Sequence, residues 1–228
     1  MYGWSVNVTA TPLQPEAIAP LGVTIKPPVS HGLVVGTRVA ANLGWRSVES
    51  LVVGDKVLTF DNGVQRIVEI TRTTLWAQDE EVAPGHWPVT IPAEALGNAK
   101  EVVLLPDQGV MLESETASDP MGDPFAVVPA QALEGLCGIR REAPWQPVEV
   151  ITLHFASDEV IYIDGGLLIH CPRSMMMLHD MIAPAEVLYE VASLAQARVM
   201  LADGEMVKRS LMQGAGYVFG ATEMVLVA

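Results

Sequence analysis

The sequence predicts a mainly β protein with a helical C-terminal extension. Three observations lead there. Between residues 33 and 172, short runs rich in Val, Ile and Leu alternate with Gly- and Pro-bearing breaks, the pattern of an all-β domain. The tripeptide Asp61-Asn62-Gly63 separates two of these runs, and its residues tolerate the positive φ of a tight reversal. Beyond residue 183 the apolar spacing changes from the strand period to the helical one.

Taken in order, residues 1–30 carry Pro12, Pro15, Pro20, Pro27 and Pro28. Proline fixes φ and removes a backbone donor, so this segment reads as an extended, proline-rich arm. Strands are expected at Val34–Ala41, Lys56–Phe60, Gln65–Thr74, Glu101–Leu105, Val110–Glu113, Phe125–Val128, Glu149–Phe155, Glu159–Ile163 and Leu167–His170. Val48–Leu51 and Ala130–Leu133 read as single helical turns. Residues 77–88 and 114–124 are acidic, Pro- and Gly-bearing connections. Asp55, Asp107 and Asp164 are expected to hydrogen-bond turn amides.

The tail, residues 173–228, is read as an extension with one helix near 184–201. Pro184 suits a first helical turn. Val187, Leu188, Val191, Leu194, Ala195 and Val199 share one face, and Asp203-Gly204 ends it. Tyr217–Ala228 is apolar enough for a strand. Met175, Met176, Met177 and Met181 form a cluster suited to packing against the β domain or docking a partner. The domain plan is therefore an arm over 1–30, a β domain over 31–172 and the extension.

Composition limits function. Half of the 228 residues are hydrophobic, which supports a real core. The formal net charge is −14 at pH 7. Such a surface repels phosphate backbones and anionic headgroups, so no nucleic-acid partner is expected. No apolar run reaches the length of a membrane span. The first residues have neither a basic start nor an apolar core, so no signal peptide is expected there. Cytoplasmic residence and export by a non-classical route both stay open. Cys137 and Cys171 are too few for a disulfide scaffold. His31, His86, His154, His170 and His179 show no metal-ligand spacing, although His154 and His170 fall on strands read as neighbours. No metal or cofactor is expected.

The most specific string is His31–Gln65, with Gly36-Thr37, Val39, Val48-Glu49-x-Leu51, Gly54-Asp55 and Val57-Leu58 in order. Pro92–Leu96 and Pro129–Leu133 then each read Pro-x-x-Ala-Leu. These motifs resemble the Hint (Hedgehog/intein) family, and its bacterial subgroup in particular, over about residues 31–172. The resemblance implies a Hint-type all-β fold and a self-processing ancestry. In that family an initial cysteine attacks the peptide carbonyl before it, and a Thr/Ser-x-x-His motif protonates the amide nitrogen that departs. In inteins, a closing His-Asn pair releases the downstream chain.

In this register the cysteine's place is Gly32. In Leu104–Leu112, Leu105 takes the Ser/Thr place and Gln108 the His place, with Pro106 keeping the register. Glutamine makes hydrogen bonds but gives up no proton near neutrality. In Glu159–Cys171, His170 matches the penultimate His, Cys171 replaces the cyclising Asn, and Pro172 follows. The candidate site residues are therefore Gln108, His170 and Cys171. On a strand, His170 and Cys171 should point to opposite faces. The leading expectation is a Hint-fold structural or protein-interaction module that has lost autoprocessing. A protein partner, or self-association, is expected to act through the C-terminal extension. The alternative is active peptide self-cleavage by a non-standard nucleophile, either Cys171 or Ser30.

Overall fold

The chain turns back on itself at short Gly- and Pro-bearing breaks, and the strands between them sort into two sheets. The computed structural model describes residues 29–76, 82–113, 124–173 and 189–202, and the backbone of 217–219 and 224–226. The first sheet has six strands. From edge to edge they are β11 (Arg140–Arg141), β7 (Val89–Ile91), β8 (Val102–Leu104), β1 (Leu33–Val34), β12 (Val148–His154) and β6 (Glu69–Leu75). The second runs β10 (Phe125–Pro129), β9 (Gly109–Glu113), β14 (Leu167–Cys171), β13 (Glu159–Ile163), β2 (Arg38–Ala41), β4 (Lys56–Leu58) and β5 (Val64–Arg66), with β3 (Gly44–Ser47) hairpinned to β2. Every ladder pairing within these two sheets is antiparallel. The mainly β architecture is thus present, with a C-terminal helix added to it. Among the described residues no helix is long and apolar enough to cross a membrane.

Two expected strands are each divided between the sheets. The run Val34–Ala41 breaks at Val35–Thr37, where Gly36 takes φ +89°. Only glycine adopts that region without strain. Val35 donates to Glu149 O on the first sheet, and Val48 donates to Thr37 O on the way into the second. The run Gln65–Thr74 breaks at Ile67-Val68. Ile67 is buried and exchanges hydrogen bonds with the Gly54–Asp55 turn, whereas Val68 donates to His154 O on β12. Propensity does not distinguish one long strand from two short strands that change partners. His154 and His170 also separate, on β12 of the first sheet and β14 of the second.

One core lies between the sheets, centred on Leu33, Leu104, Leu112, Ile151, Leu153, Phe155, Ile161 and Ile169. A smaller cluster of Met111, Val127, Val160 and Tyr189 covers the far face of the second sheet. Of the three expected turn carboxylates, Asp55 bonds a turn amide, whereas Asp164 reaches across to β2 and Asp107 accepts from the Gln131 side chain at 2.7 Å. The Asp55 carboxylate accepts from Val52 N at 3.0 Å and pairs with Arg46 at 2.8 Å. The Asp164 carboxylate accepts from Arg38 N at 3.2 Å.

The extension helix, α1, spans Leu194–Leu201. It begins later than its apolar spacing suggests. Val191 is instead extended and bridges Val127 of β10 in parallel, and Ala192 N donates to Val127 O at 2.8 Å. Ser193 then caps the helix, its hydroxyl accepting from Gln196 N while the Gln196 side chain accepts from Ser193 N. This reciprocal pair satisfies two donors that a first turn leaves open. Ala197 and Leu201 enter the main core. Pro184, Val187, Leu188 and the methionine cluster lie outside the described residues. Tyr217–Phe219 and Met224–Leu226 pair as a short hairpin.

Candidate functional site

Gly32 immediately precedes β1, the central strand that joins β8 to β12. Gln108 closes the turn before β9, where its own N–H donates to Leu105 O. His170 lies on β14, the neighbour of β9. The three residues are far apart in sequence, yet one side chain joins them. Gln108 Oε1 accepts from Gly32 N at 2.8 Å, and Gln108 Nε2 donates to His170 O at 2.7 Å. Gln108 is 2% exposed. A carboxamide suits the place because it presents an acceptor and a donor at once. The residue after it must be small. A Cβ on Gly109 would stand 2.9 Å from both His170 Cβ and Val127 Cγ1.

The position opposite Gly32 is filled. A Cβ built there would lie 2.6 Å from Val150 Cγ1 and 2.8 Å from Thr152 Oγ1, on a backbone with φ +134°. Register sets this up, since Leu33 pairs with Ile151 and Val34 with Val150. The Thr152 hydroxyl also donates to His31 O at 3.4 Å. Hence the His31–Gly32 peptide is held at both ends, its carbonyl by Thr152 and its N–H by Gln108. Thr152 and Val150 are the site residues that sequence reasoning missed. They sit on a strand chosen for its apolar pattern, and only cross-strand register brings them to Gly32.

Imidazoles border this peptide. Burial pushes His31 below its ordinary pKa and His154 pushes it further, against an opposing pull from Asp107. Burial also pushes His170 down; Asp158 opposes this and His31 adds to it. His154 Nδ1 and His170 Nε2 are shut off from solvent and make no hydrogen bond among the described residues. Among the described residues, no group of three His, Cys, Asp or Glu side chains is placed to hold a metal ion.

The pH consequence follows from the direction of these shifts. His31 and His170 bind protons less readily folded than unfolded, so their contribution to stability is complete above the unfolded pKa near 6.5. As pH falls below that value the unfolded chain takes up protons first and stability drops. We expect the denaturant midpoint to fall across this window, and the slope to flatten in a His31→Asn/His170→Asn double variant. An unchanged slope in the double variant would show that other groups set the acid limb.

Cys171 faces the other way from the His170 ring. It packs in the main core and pairs across the ladder with Glu159, whereas the His170 ring meets Tyr189 edge-on at 6.0 Å. The Cys171 thiol is pushed up to about 12, first by burial and then by the nearby Glu159. Thiolate, not thiol, is the nucleophile. We therefore expect iodoacetamide to label the folded chain once, at the exposed Cys137, and twice after denaturation, read by intact mass.

No protein of curated function matches the chain. Among solved structures it is similar to the solution structure of a bacterial intein-like domain from Clostridium thermocellum, with 14% identity, 61% of this chain and 98% of that one covered, and a TM-score of 0.42. It is similar to the gp41-1 intein, with 14% identity over 61% of this chain and 97% of that one, and a TM-score of 0.37. The Msm DnaB1 intein splicing domain bound with zinc gives 14% identity over 61% and 98%, and a TM-score of 0.35. The family model of the Hint domain matches residues 31–168, well over half of the chain. The chain belongs to the Hint domain family.

Proposed function

We propose that this Hint domain has lost autoprocessing and serves as a structural or protein-interaction module. The observation that carries this reading is the filled space opposite Gly32. A missing nucleophile alone is one substitution away from repair. Here Val150 and Thr152 occupy the volume a side chain would need, and Gln108 uses both polar ends of its carboxamide to tie Gly32 to His170. Function resides in sites rather than folds, and this site is built to hold a peptide bond rather than break it.

Cys171 and His170 fit structural roles in this reading. The thiol fills the core, and the histidine carbonyl anchors Gln108. The extension fits a role in covering and partner contact. Tyr189 packs on the outer cluster and donates through its hydroxyl to Asp61 Oδ2, while Val199 on α1 stays 76% exposed. The test is intact mass. The purified chain should remain at 24.5 kDa after exposure to strong thiols or hydroxylamine. A product cut at His31–Gly32, or at any ester or thioester intermediate, would overturn the proposal. Gel filtration with light scattering tests the extension. A compact monomer that stays soluble without residues 189–228 would remove it as an interaction element.

A further inference from the structure

The chain has four asparagines, Asn7, Asn42, Asn62 and Asn98, and only Asn62 precedes a glycine. We infer that Asn62-Gly63 is a self-modification site, at which the side-chain amide is lost through a cyclic imide and the new carboxylate is set against buried Glu159. This is independent of the family's peptide-cleavage site and does not depend on whether that site is active.

The local structure supplies the requirements. Asn62 and Gly63 are exposed at the tip of the β4–β5 hairpin. Gly63 has φ +64°, and a Cβ there would meet nothing within 4 Å, so this side of the turn is open. Thr59 N and Thr59 Oγ1 both donate to Gly63 O, but among the described residues nothing accepts from Gly63 N. That nitrogen is therefore free to act as the nucleophile. It attacks Asn62 Cγ and a Cγ–N bond forms. The Cγ–Nδ2 bond then breaks, and ammonia departs with the proton from Gly63. Water opens the five-membered imide at either carbonyl. One opening gives aspartate; the other gives isoaspartate, with the main chain rerouted through the side chain. No oxidation or reduction is involved.

The consequence is specific to this fold. Asn62 Nδ2 donates to Glu159 Oε2 at 3.0 Å, and Ser157 Oγ donates to Glu159 Oε1 at 2.9 Å. Glu159 is 1% exposed. Loss of the amide replaces a donor with a second carboxylate. Like charges at this range oppose each other, most strongly where water is excluded. Asp61, next in sequence, is the acceptor for Tyr189 of the extension, so the same turn also holds the tail.

Peptide mapping of the full chain after prolonged incubation in mildly alkaline buffer tests this. The expected result is the amide-to-acid mass gain confined to the peptide with Asn62, with an isoaspartate product. Asn42, which is exposed but precedes Leu43, and Asn98, whose amide is bonded to Pro92 O and Lys100 O, should not change. An Asn62 peptide that stays unmodified while the denatured chain converts would overturn the site, as would equal conversion at Asn42. The coupling to Glu159 is tested by product and truncation variants. Asn62→Asp and Asn62→Ala both lose the donor, but only the first adds charge. Asn62→Asp should melt below Asn62→Ala; equal midpoints would overturn the coupling.

Discussion

A Gly32→Cys variant is expected to stay uncut and to fold less stably than the parent. The thiol's Cβ would have to enter space held by Val150 Cγ1 and Thr152 Oγ1, at 2.6 and 2.8 Å. Overpacking a filled site costs about 1–3 kcal/mol. Its backbone would also have to keep φ +134°, and a non-glycine residue held in such a region costs about 1–3 kcal/mol more. Relaxing either strain moves the His31–Gly32 peptide away from Gln108 and Thr152, which hold it. The measurement is a denaturant melt beside intact mass with and without a strong thiol. A cleaved chain at parental stability would show that the site still accepts a nucleophile. Pairing the change with Val150→Ala is the sharper probe. That variant should recover part of the lost stability, because it removes the closest clash, and should still leave the chain intact.

Gln108→Ala is the second large effect expected. It strands two polar groups, the buried Gly32 N and the part-buried His170 O, on opposite sides of one small void. Leaving a buried donor or acceptor unpaired costs about 1–3 kcal/mol each, so the loss should exceed that of an ordinary surface change severalfold. Hydrogen exchange gives the diagnostic signature. The Gly32 amide should lose protection more than the amides of β9 and β14, because Gln108 is its acceptor. Gln108→Glu separates donor from acceptor. The carboxylate still accepts from Gly32 N but no longer donates to His170 O, so Gly32 protection should persist while stability falls. Uniform loss of protection in both variants would mean that the carboxamide supports packing rather than the joint.

Much of the scaffold was legible because its signals are local. Gly36, Gly54 and Gly63 mark turns by their need for positive φ, and the neighbouring apolar runs are strands. Asp55 was readable as a turn carboxylate for the same reason, whereas the reach of Asp164 to Arg38 N on β2 was not. The division of Val34–Ala41 and Gln65–Thr74 between sheets was not legible. It depends on acceptors such as Glu149 O and donors such as Gly54 N, which lie in distant or folded-back chain. The start of α1 shows a conflict of local signals. Val191 fits the helical spacing of the tail, yet it is drawn into a strand bridge with Val127, and the Ser193-to-Gln196 capping box sets the boundary two residues later. Both signals were in the sequence, and packing against β10 decided between them.

By itself, the sequence determined the residue types at the positions that the family resemblance singles out. Position 32 carries no thiol, position 108 no imidazole and position 171 no carboxamide, because residue type is a local property. Only the tertiary structure decided whether there was room for what is missing, and what the substitutes do. Val150 and Thr152 close on Gly32 from more than a hundred residues away. Gln108 finds a donor, Gly32 N, from the beginning of the domain's sequence and an acceptor, His170 O, from its end, brought together at one carboxamide. Those facts arise from strand register and cross-sheet packing, which couple residues that no local pattern relates.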